Sequence, residues 1–301
     1  MSTRYTRFLR EQIPVIQTIG RAVVPRRRRN AKPSFPAPPV HRVVPPRSEG
    51  LVAAYIEHLA IPAERYPERL PSHFFPQYAF PALMQTLDGV PYPMMRVVNG
   101  GCKLVQHGPV PSGQPLILNA QLGNIDDNGR RAVLQQELTV GTEVDAKLLE
   151  ATVYAIVPLP KKKGAPKGPK REKVCVPEDA TLATRWSLTP QDAADFACLT
   201  GDVNPIHWSR MWAKLSGFPA TILHGFATLA RALEGLIETQ HGGDPNLWRE
   251  VDVQFKRPLA LPADVGLYLG PEPGSFFVGD APGAPAYLAG HYTTQETTDD
   301  V

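Results

Sequence analysis

The chain has 301 residues, 43% of them hydrophobic, and a net charge of +3, and its length allows two domains of roughly 100 to 150 residues. Its three cysteines, Cys102, Cys175 and Cys198, have neither CxxC nor metal-ligand spacing, which argues against a disulfide framework or a zinc site and favours a reducing, cytoplasmic compartment. No run of 18 apolar residues is present, so no membrane span is expected.

The positive charge is concentrated in two segments. Residues 1–48 have a net charge of +10, residues 161–173 (KKKGAPKGPKREK) have +6, and the rest of the chain has −13. Because both segments contain Pro or Gly and few apolar residues, we interpret them as a tail, 1–48, and a linker, 161–178. A nucleic-acid-binding fold would carry basic and aromatic residues on a packed face, so no nucleic-acid partner is predicted.

The tail allows more than one interpretation. It is rich in Arg and poor in acidic residues, which is typical of a mitochondrial presequence and also of a cytoplasmic protein that touches a membrane surface. We expect a cytoplasmic protein, and the transit peptide and the membrane-surface contact stay open as alternatives.

Residues 49–160 are predicted to form one unit of a helix and strands. The segment FFPQYAFPALMQTLDG, residues 74–89, is the helix. Strand-like segments follow at 108–123, 129–140 and 147–157, with a DDNG turn signal at 126–129.

The second half, residues 179–301, begins with a well-delimited predicted helix. Its signals are Thr189 as N-cap, Pro190 at the first helical position, Asp192 completing a capping box and Gly201 at the end. A short helix is predicted from Ser209 to Leu215.

The segment GFATLARALEGLIET, residues 225–239, is predicted to be a largely buried helix because apolar residues cover most of its circumference. Arg231 and Glu234 interrupt that surface, and we interpret them as an exposed or paired surface set. Strand-like segments follow at 249–258, 264–270, 274–280 and 286–294. A buried helix followed by antiparallel strands implies a sheet wrapped on the helix, and the similar order in both halves suggests an internal duplication.

One loop, in FACLTGDVNPIHWSRMWA (196–213), carries the candidate chemistry. Asp202, Asn204 and His207 lie between predicted helices, held by Gly201 and Pro205. An isolated GDxNP can be a turn whose aspartate caps its own backbone. The histidine and the following GFPATILHG (217–225) favour a functional site instead.

The run from Phe196 to Gly225 closely resembles the signature of the MaoC-like (R)-specific enoyl-thioester hydratases and 3-hydroxyacyl-thioester dehydratases. Residues 251–265, VDVQFKRPLALPADV, resemble the strand and turn after that family's central helix. The resemblance implies an α+β double hot-dog fold, each half an antiparallel sheet wrapped around a central helix. Residues 49–160 would be a motif-less N-terminal hot-dog domain, and residues 179–301 the catalytic one.

The resemblance implies reversible hydration of trans-2-enoyl thioesters to (R)-3-hydroxyacyl thioesters in fatty acyl metabolism, a hydro-lyase reaction. Asp202 and His207 can share one water and make both proton transfers, in roles that stay open, while Asn204 holds the water or the histidine. The backbone N–H of Gly225, at the helix start, is predicted to stabilise charge on the thioester oxygen, as the equivalent glycine does in the family.

The expected acyl carrier is coenzyme A or acyl carrier protein, with no metal and no cofactor, and a homodimer is possible. The alternative is a non-catalytic acyl-thioester-binding protein, which would need neither proton donor nor acceptor and is therefore disfavoured by Asp202 and His207. His224 is expected to be structural, setting the helix entrance. Trp208 and Trp212 are expected in the core rather than along an acyl chain.

Overall fold

The computed structural model describes residues 4–23, 37–93, 97–160 and 173–295. The helices are α1 Ile13–Val23, α2 Glu49–His58, α3 Phe75–Thr86, α4 Pro190–Thr200, α5 Arg210–Leu215 and α6 Gly225–Gln240. The strands are β1 Val40–Val44, β2 Arg69–Leu70, β3 Val98–Gln106, β4 Val110–Pro111, β5 Leu116–Asp127, β6 Arg131–Gly141, β7 Leu149–Pro158, β8 Thr181–Leu188, β9 Trp248–Phe255, β10 Ala263–Leu269, β11 Ser275–Gly279 and β12 Leu288–Thr294. In this part of the chain, no helix is long and apolar enough to cross a membrane.

Ten of these strands form one antiparallel sheet in the order β1-β5-β6-β7-β3-β9-β12-β11-β10-β8. The first five belong to the first half of the chain and the last five to the second. The halves meet where β3 pairs with β9, with Cys102 opposite Val253. At this seam a Cβ on Gly101 would collide with the carbonyl oxygen of Val253, so the close approach of the two backbones requires glycine.

Each half-sheet is curled around one helix. α3 packs against β1, β5 and β6, and α6 packs against β8 and β9. Leu229, Leu233, Leu236 and Ile237 of α6 are at most 1% exposed, because apolar residues occupy most of the helix circumference. The α+β double hot-dog fold predicted from the sequence is confirmed.

The local signals at α4 also act as predicted. The backbone N–H of Thr189 donates to the Asp192 carboxylate over 2.8 Å, and the helix ends at Gly201 in the left-handed conformation, with φ 81°. This ending turns the chain sharply into the loop that carries Asp202. The predicted turn at 126–129 connects β5 to β6.

Arg231 and Glu234 are not on the surface, as the sequence had suggested, but buried, at 7% and 6% exposure. Both are paired: Arg231 with Asp192 of α4, and Glu234 with Arg65 of the first half. The first half of the chain covers this side of α6, because Arg65 reaches Glu234 and His58 lies 3.5 Å from Arg231. The prediction of a surface set was wrong, and the prediction of pairing was right.

The prediction that residues 1–48 form a tail does not hold for the part of this segment that the structure describes. Tyr5 and Phe8 are 1% and 6% exposed within the main hydrophobic core, and β1 pairs with β5 at the edge of the sheet. These segments are buried because apolar residues such as Tyr5 and Phe8 lie between the arginines and pack into the core. Residues 161–172, which make up all but the last residue of the basic run, lie outside the described residues, and the division of the chain at this linker stays a prediction.

Trp208 and Trp212 do not lie in the core, as expected, but are 36% and 50% exposed. They belong to the short segment that follows His207, whose inward position is filled by Ala213, at 0% exposure. The helix α5 has only six residues, and Ala213 is the one that is buried, so Trp212 on the same helix is left at the surface.

Candidate active site

Asp202, Asn204 and His207 lie in the loop between α4 and α5, beside the start of α6. Asn204 caps the 3-10 turn Pro205–His207, because its side-chain oxygen accepts from the backbone N–H of Ile206 over 3.3 Å. This contact fixes the turn that carries His207. It places Asn204 as a group that shapes the loop, at an exposed position.

His207 is buried and held in one tautomer. Its Nδ1 lies 2.8 Å from the carbonyl oxygen of Ile222 and must donate to it, since a carbonyl accepts only. In the neutral ring, Nε2 is therefore the nitrogen with a lone pair. Burial lowers the pKa of His207 below its usual value, although the nearby Asp202 and the Ile222 carbonyl oppose this shift. At neutral pH the imidazole is uncharged and able to accept a proton.

His224 connects Asp202 to His207. Its ring stacks on that of His207, with centroids 3.6 Å apart, and its Nε2 donates to the backbone carbonyl of Asp202 over 3.0 Å. It is also the N-cap residue of α6, as expected of a residue at the helix entrance. Burial and the neighbouring His207 lower the pKa of His224 to about 3, so it stays neutral. The contact with Asp202 was not foreseen from the sequence.

Gly225 opens α6 beside this cluster. The N–H groups of a first helical turn have no acceptor within the helix and lie at the positive end of its dipole. A Cβ on Gly225 would come within 2.9 to 3.1 Å of the Phe255 ring, so the helix start approaches β9 as closely as only glycine allows. The structure thus brings together Asp202, His207 and the N-terminus of α6.

Three side chains of this cluster could meet around one small ligand. One ligand atom each of Asp202, His207 and His224 lies within 4.8 Å of the others. The Nε2 of His224 already donates its proton to a backbone carbonyl, which leaves Nδ1 as its only lone pair. The Asp202 side chain is 37% exposed, so this group connects the buried histidines to solvent.

Beyond Asp202, a small cavity has apolar walls. It is lined by Val15, Pro76, Phe80, Phe196, Thr200, Asp202 and Phe226 and measures about 10 Å³. Its wall residues come from α1, α3, α4 and α6, and hence from both halves of the chain. Sequence reasoning missed Val15 because the Arg-rich segment had been interpreted as a tail. The apolar residues within this segment were the signal that could have indicated its burial.

Comparison with known proteins agrees with this arrangement. Residues 172–269, about a third of the chain, match the family described as "MaoC like domain". The 3-hydroxyacyl-thioester dehydratase X of Mycobacterium tuberculosis is 28% identical over 227 residues, which cover 75% of this chain and 77% of that protein. The peroxisomal enoyl-CoA hydratase 2 of Arabidopsis thaliana is 29% identical over 187 residues, covering 56% of this chain and 58% of that protein.

Among solved structures, Mycobacterium tuberculosis HtdX superimposes with a TM-score of 0.67, covering 85% of this chain and 100% of that one at 21% identity. This likeness extends over both halves and shows that they share a fold with it. The family match is confined to the second half and includes Asp202, His207 and Gly225. Residues 172–269 of this chain therefore match the MaoC-like domain, and the two halves together have a double hot-dog fold.

Proposed function

We propose that the protein catalyses the reversible hydration of trans-2-enoyl thioesters to (R)-3-hydroxyacyl thioesters, as a hydro-lyase of fatty acyl metabolism. The observation that carries this proposal is the pair formed by Asp202 and a neutral His207 whose Nε2 is left with a lone pair. The names of the two relatives, a hydroxyacyl-thioester dehydratase and an enoyl-CoA hydratase, support the same reaction.

In the proposed mechanism, His207 handles the proton. Nε2 takes a proton from water as the water oxygen bonds to the substrate's Cβ and the double-bond electrons move toward the thioester. The imidazolium then returns this proton to Cα, so that one water has been added and the enzyme is unchanged. Burial makes the imidazolium a stronger acid, which favours the return step. Asp202 stabilises the imidazolium and orients the water.

The negative charge that develops on the thioester oxygen is assigned to the start of α6. The N–H of Gly225 would donate to this oxygen, and the dipole of a 16-residue helix adds to the stabilisation. Phe226, the next residue, lines the same cavity as Asp202, which supports this placement. Asn204 would act by holding the turn of His207, and His224 by holding Asp202 and stacking on His207.

The proposal also includes the acyl carrier of the substrate and the absence of a cofactor from the reaction. The acyl carrier would be coenzyme A or acyl carrier protein, as the acyl-thioester names of the relatives suggest. Addition of water changes no net oxidation state, so the proposed chemistry calls for no redox cofactor, and the proton steps need no metal. A cytoplasmic location and a homodimer remain part of the proposal.

The test is the absorbance of the conjugated enoyl thioester, which is lost on hydration. Asp202→Asn and His207→Ala should each lower turnover by roughly 10² to 10⁴ in proteins that remain folded. The double variant should lose less than the product of the single losses, because both groups serve one proton transfer. His291→Ala, which removes an exposed imidazole from β12, is the matched control and should keep wild-type turnover. Full activity in either single variant would end the catalytic assignment.

A further inference from the structure

The N-terminal helix α1 lies beside the candidate active site. It packs against α3 of the first half, while the preceding 3-10 helix, Thr6–Arg10, packs against α4 of the second. Gln12, just before α1, is fully buried. Its Nε2 donates to the carbonyl of Leu199 over 3.1 Å, and its oxygen accepts from Nε2 of Gln77 over 3.0 Å. One glutamine therefore ties the start of α1 to both halves of the chain.

Val15 of α1 lines the cavity beside the site. It is 3% exposed and shares the small cavity with Asp202. A Cβ on Gly201 would lie 2.9 Å from the Cβ of Val15, so α1 rests directly on the residue before Asp202. The same helix exposes Ile13 to solvent, at 48%, so at this end α1 lies between the cavity and solvent.

The cavity cannot hold an acyl chain while Val15 is in place. Its volume of about 10 Å³ is enough for about one water molecule. The other apolar walls, among them Phe80, Phe196 and Phe226, belong to α3, α4 and α6. Of these helices, α3 and α6 pack against the half-sheets, and α4 packs against α2, α3 and the 3-10 helix Thr6–Arg10. With the substrate's Cα and Cβ at Asp202 and His207, as the proposed function has them, we expect the next carbons to lie against these walls. Val15 completes the lining from α1, a helix that exposes Ile13 and Gln17 to solvent.

We propose that Val15 sets the length of acyl chain that the site accepts, and that α1 is a displaceable wall held in place by Gln12. This inference rests on the proposed function, since it assigns the substrate's acyl chain to the cavity beside Asp202. Carbons beyond Cβ take the space that the Val15 side chain fills. The wild-type protein accordingly prefers short chains, because longer ones must first move α1.

Matched variants on one helix test this inference. Val15→Ala removes two methyl groups from the cavity wall, and Ile13→Ala shortens a branched side chain that faces solvent. The measurement is kcat/KM for a four-carbon and an eight-carbon enoyl-CoA. The eight-to-four ratio should rise roughly tenfold in Val15→Ala, stay at the wild-type value in Ile13→Ala, and fall in Val15→Phe.

Binding provides a readout that does not depend on turnover. Octanoyl-CoA has no double bond to hydrate, and calorimetry should show tighter binding to Val15→Ala than to Ile13→Ala. Gln12→Ala, which frees the start of α1, should shift the same affinity in the same direction. An unchanged chain-length ratio and unchanged octanoyl-CoA affinity in Val15→Ala would overturn the inference and leave the hydratase function standing. If the wild type hydrates no enoyl-CoA, the proposed function fails, and the octanoyl-CoA comparison still decides whether Val15 is the wall.

Discussion

Replacing Glu234 by Gln should destabilise the protein far more than the same change at Glu238, four residues along the same helix. The Glu234 carboxylate is 7% exposed and is held by Arg65 Nη1 at 2.7 Å, the Tyr66 hydroxyl at 2.6 Å and His73 Nε2 at 2.8 Å. Burial disfavours its charged form, but the hydrogen bonds from His73, Tyr66 and Arg65 outweigh this effect and keep its pKa below the usual value. Glu234 is therefore ionised at neutral pH.

The magnitude follows from what the substitution leaves behind. Arg65, whose side chain is 5% exposed, would lose its buried counter-charge and keep only Glu238, whose carboxylate is 63% exposed. Removing one partner of a buried ion pair costs about 3 to 5 kcal/mol, and the remaining contact with Glu238 places the expected loss near 3 kcal/mol. Glu238→Gln removes an exposed partner of the same arginine and should cost about 0 to 1 kcal/mol.

The assay is urea unfolding of wild type and both variants at pH 7, followed by intrinsic fluorescence. Because the pKa of Glu234 is lowered in the folded protein, its contribution is present above the unfolded value of about 4.3 and is lost as the pH falls through the folded value. The gap between wild type and Glu234→Gln should accordingly shrink in acid. Equal losses in the two variants at pH 7 would refute the argument from burial.

Two further predictions concern the site. Gly225→Ala should lower kcat by roughly 10- to 10²-fold, with a smaller change in KM. The reason is that the new Cβ meets the Phe255 ring and displaces the start of α6 by a fraction of an ångström. An unchanged kcat in the enoyl-absorbance assay would show that Gly225 does not have the oxyanion role. Acid should destabilise the fold through His58 and His224, whose pKa values are both lowered to about 3 by burial. In the unfolded chain both histidines are protonated below about pH 6.5, so each should lower the unfolding free energy by up to about 1.4 kcal/mol for every pH unit below 6.5. An unfolding free energy that does not change between pH 7 and pH 5 would contradict this.

Local sequence signals predicted much of the second half. The capping residues of α4 and the apolar circumference of α6 depend on contacts within a few residues, and both helices form where expected. The loop with Asp202 and His207 could be placed between them for the same reason. That His224 stacks on His207 and holds the Asp202 backbone depends on how the loop folds back onto α6, which no spacing in the sequence encodes.

The burial of Glu234 and of Val15 was not predicted because it depends on contacts between segments that are far apart in the sequence. Glu234 is buried because Arg65, 169 residues earlier, reaches α6, and Val15 enters the cavity because Gln12 finds Leu199, 187 residues away. Polar residues in a helix and arginines near a terminus are ordinarily solvated, so composition favoured a surface position for both regions. Only the packing of one half on the other reverses that expectation.

The pairing of β3 with β9 sets an order of events during synthesis. The first half leaves the ribosome with β3 already paired to β7, while the other edge of β3 waits for a strand that ends at Phe255. At about 5 to 20 residues per second, the 97 residues from Pro158, the end of β7, to Phe255 take about 5 to 20 seconds. During that interval an unpaired edge containing Cys102 and Leu104 is open to strands of other chains. The nascent first half is therefore exposed to aggregation until β9 has been made, and slowing translation beyond residue 160 should increase that aggregation.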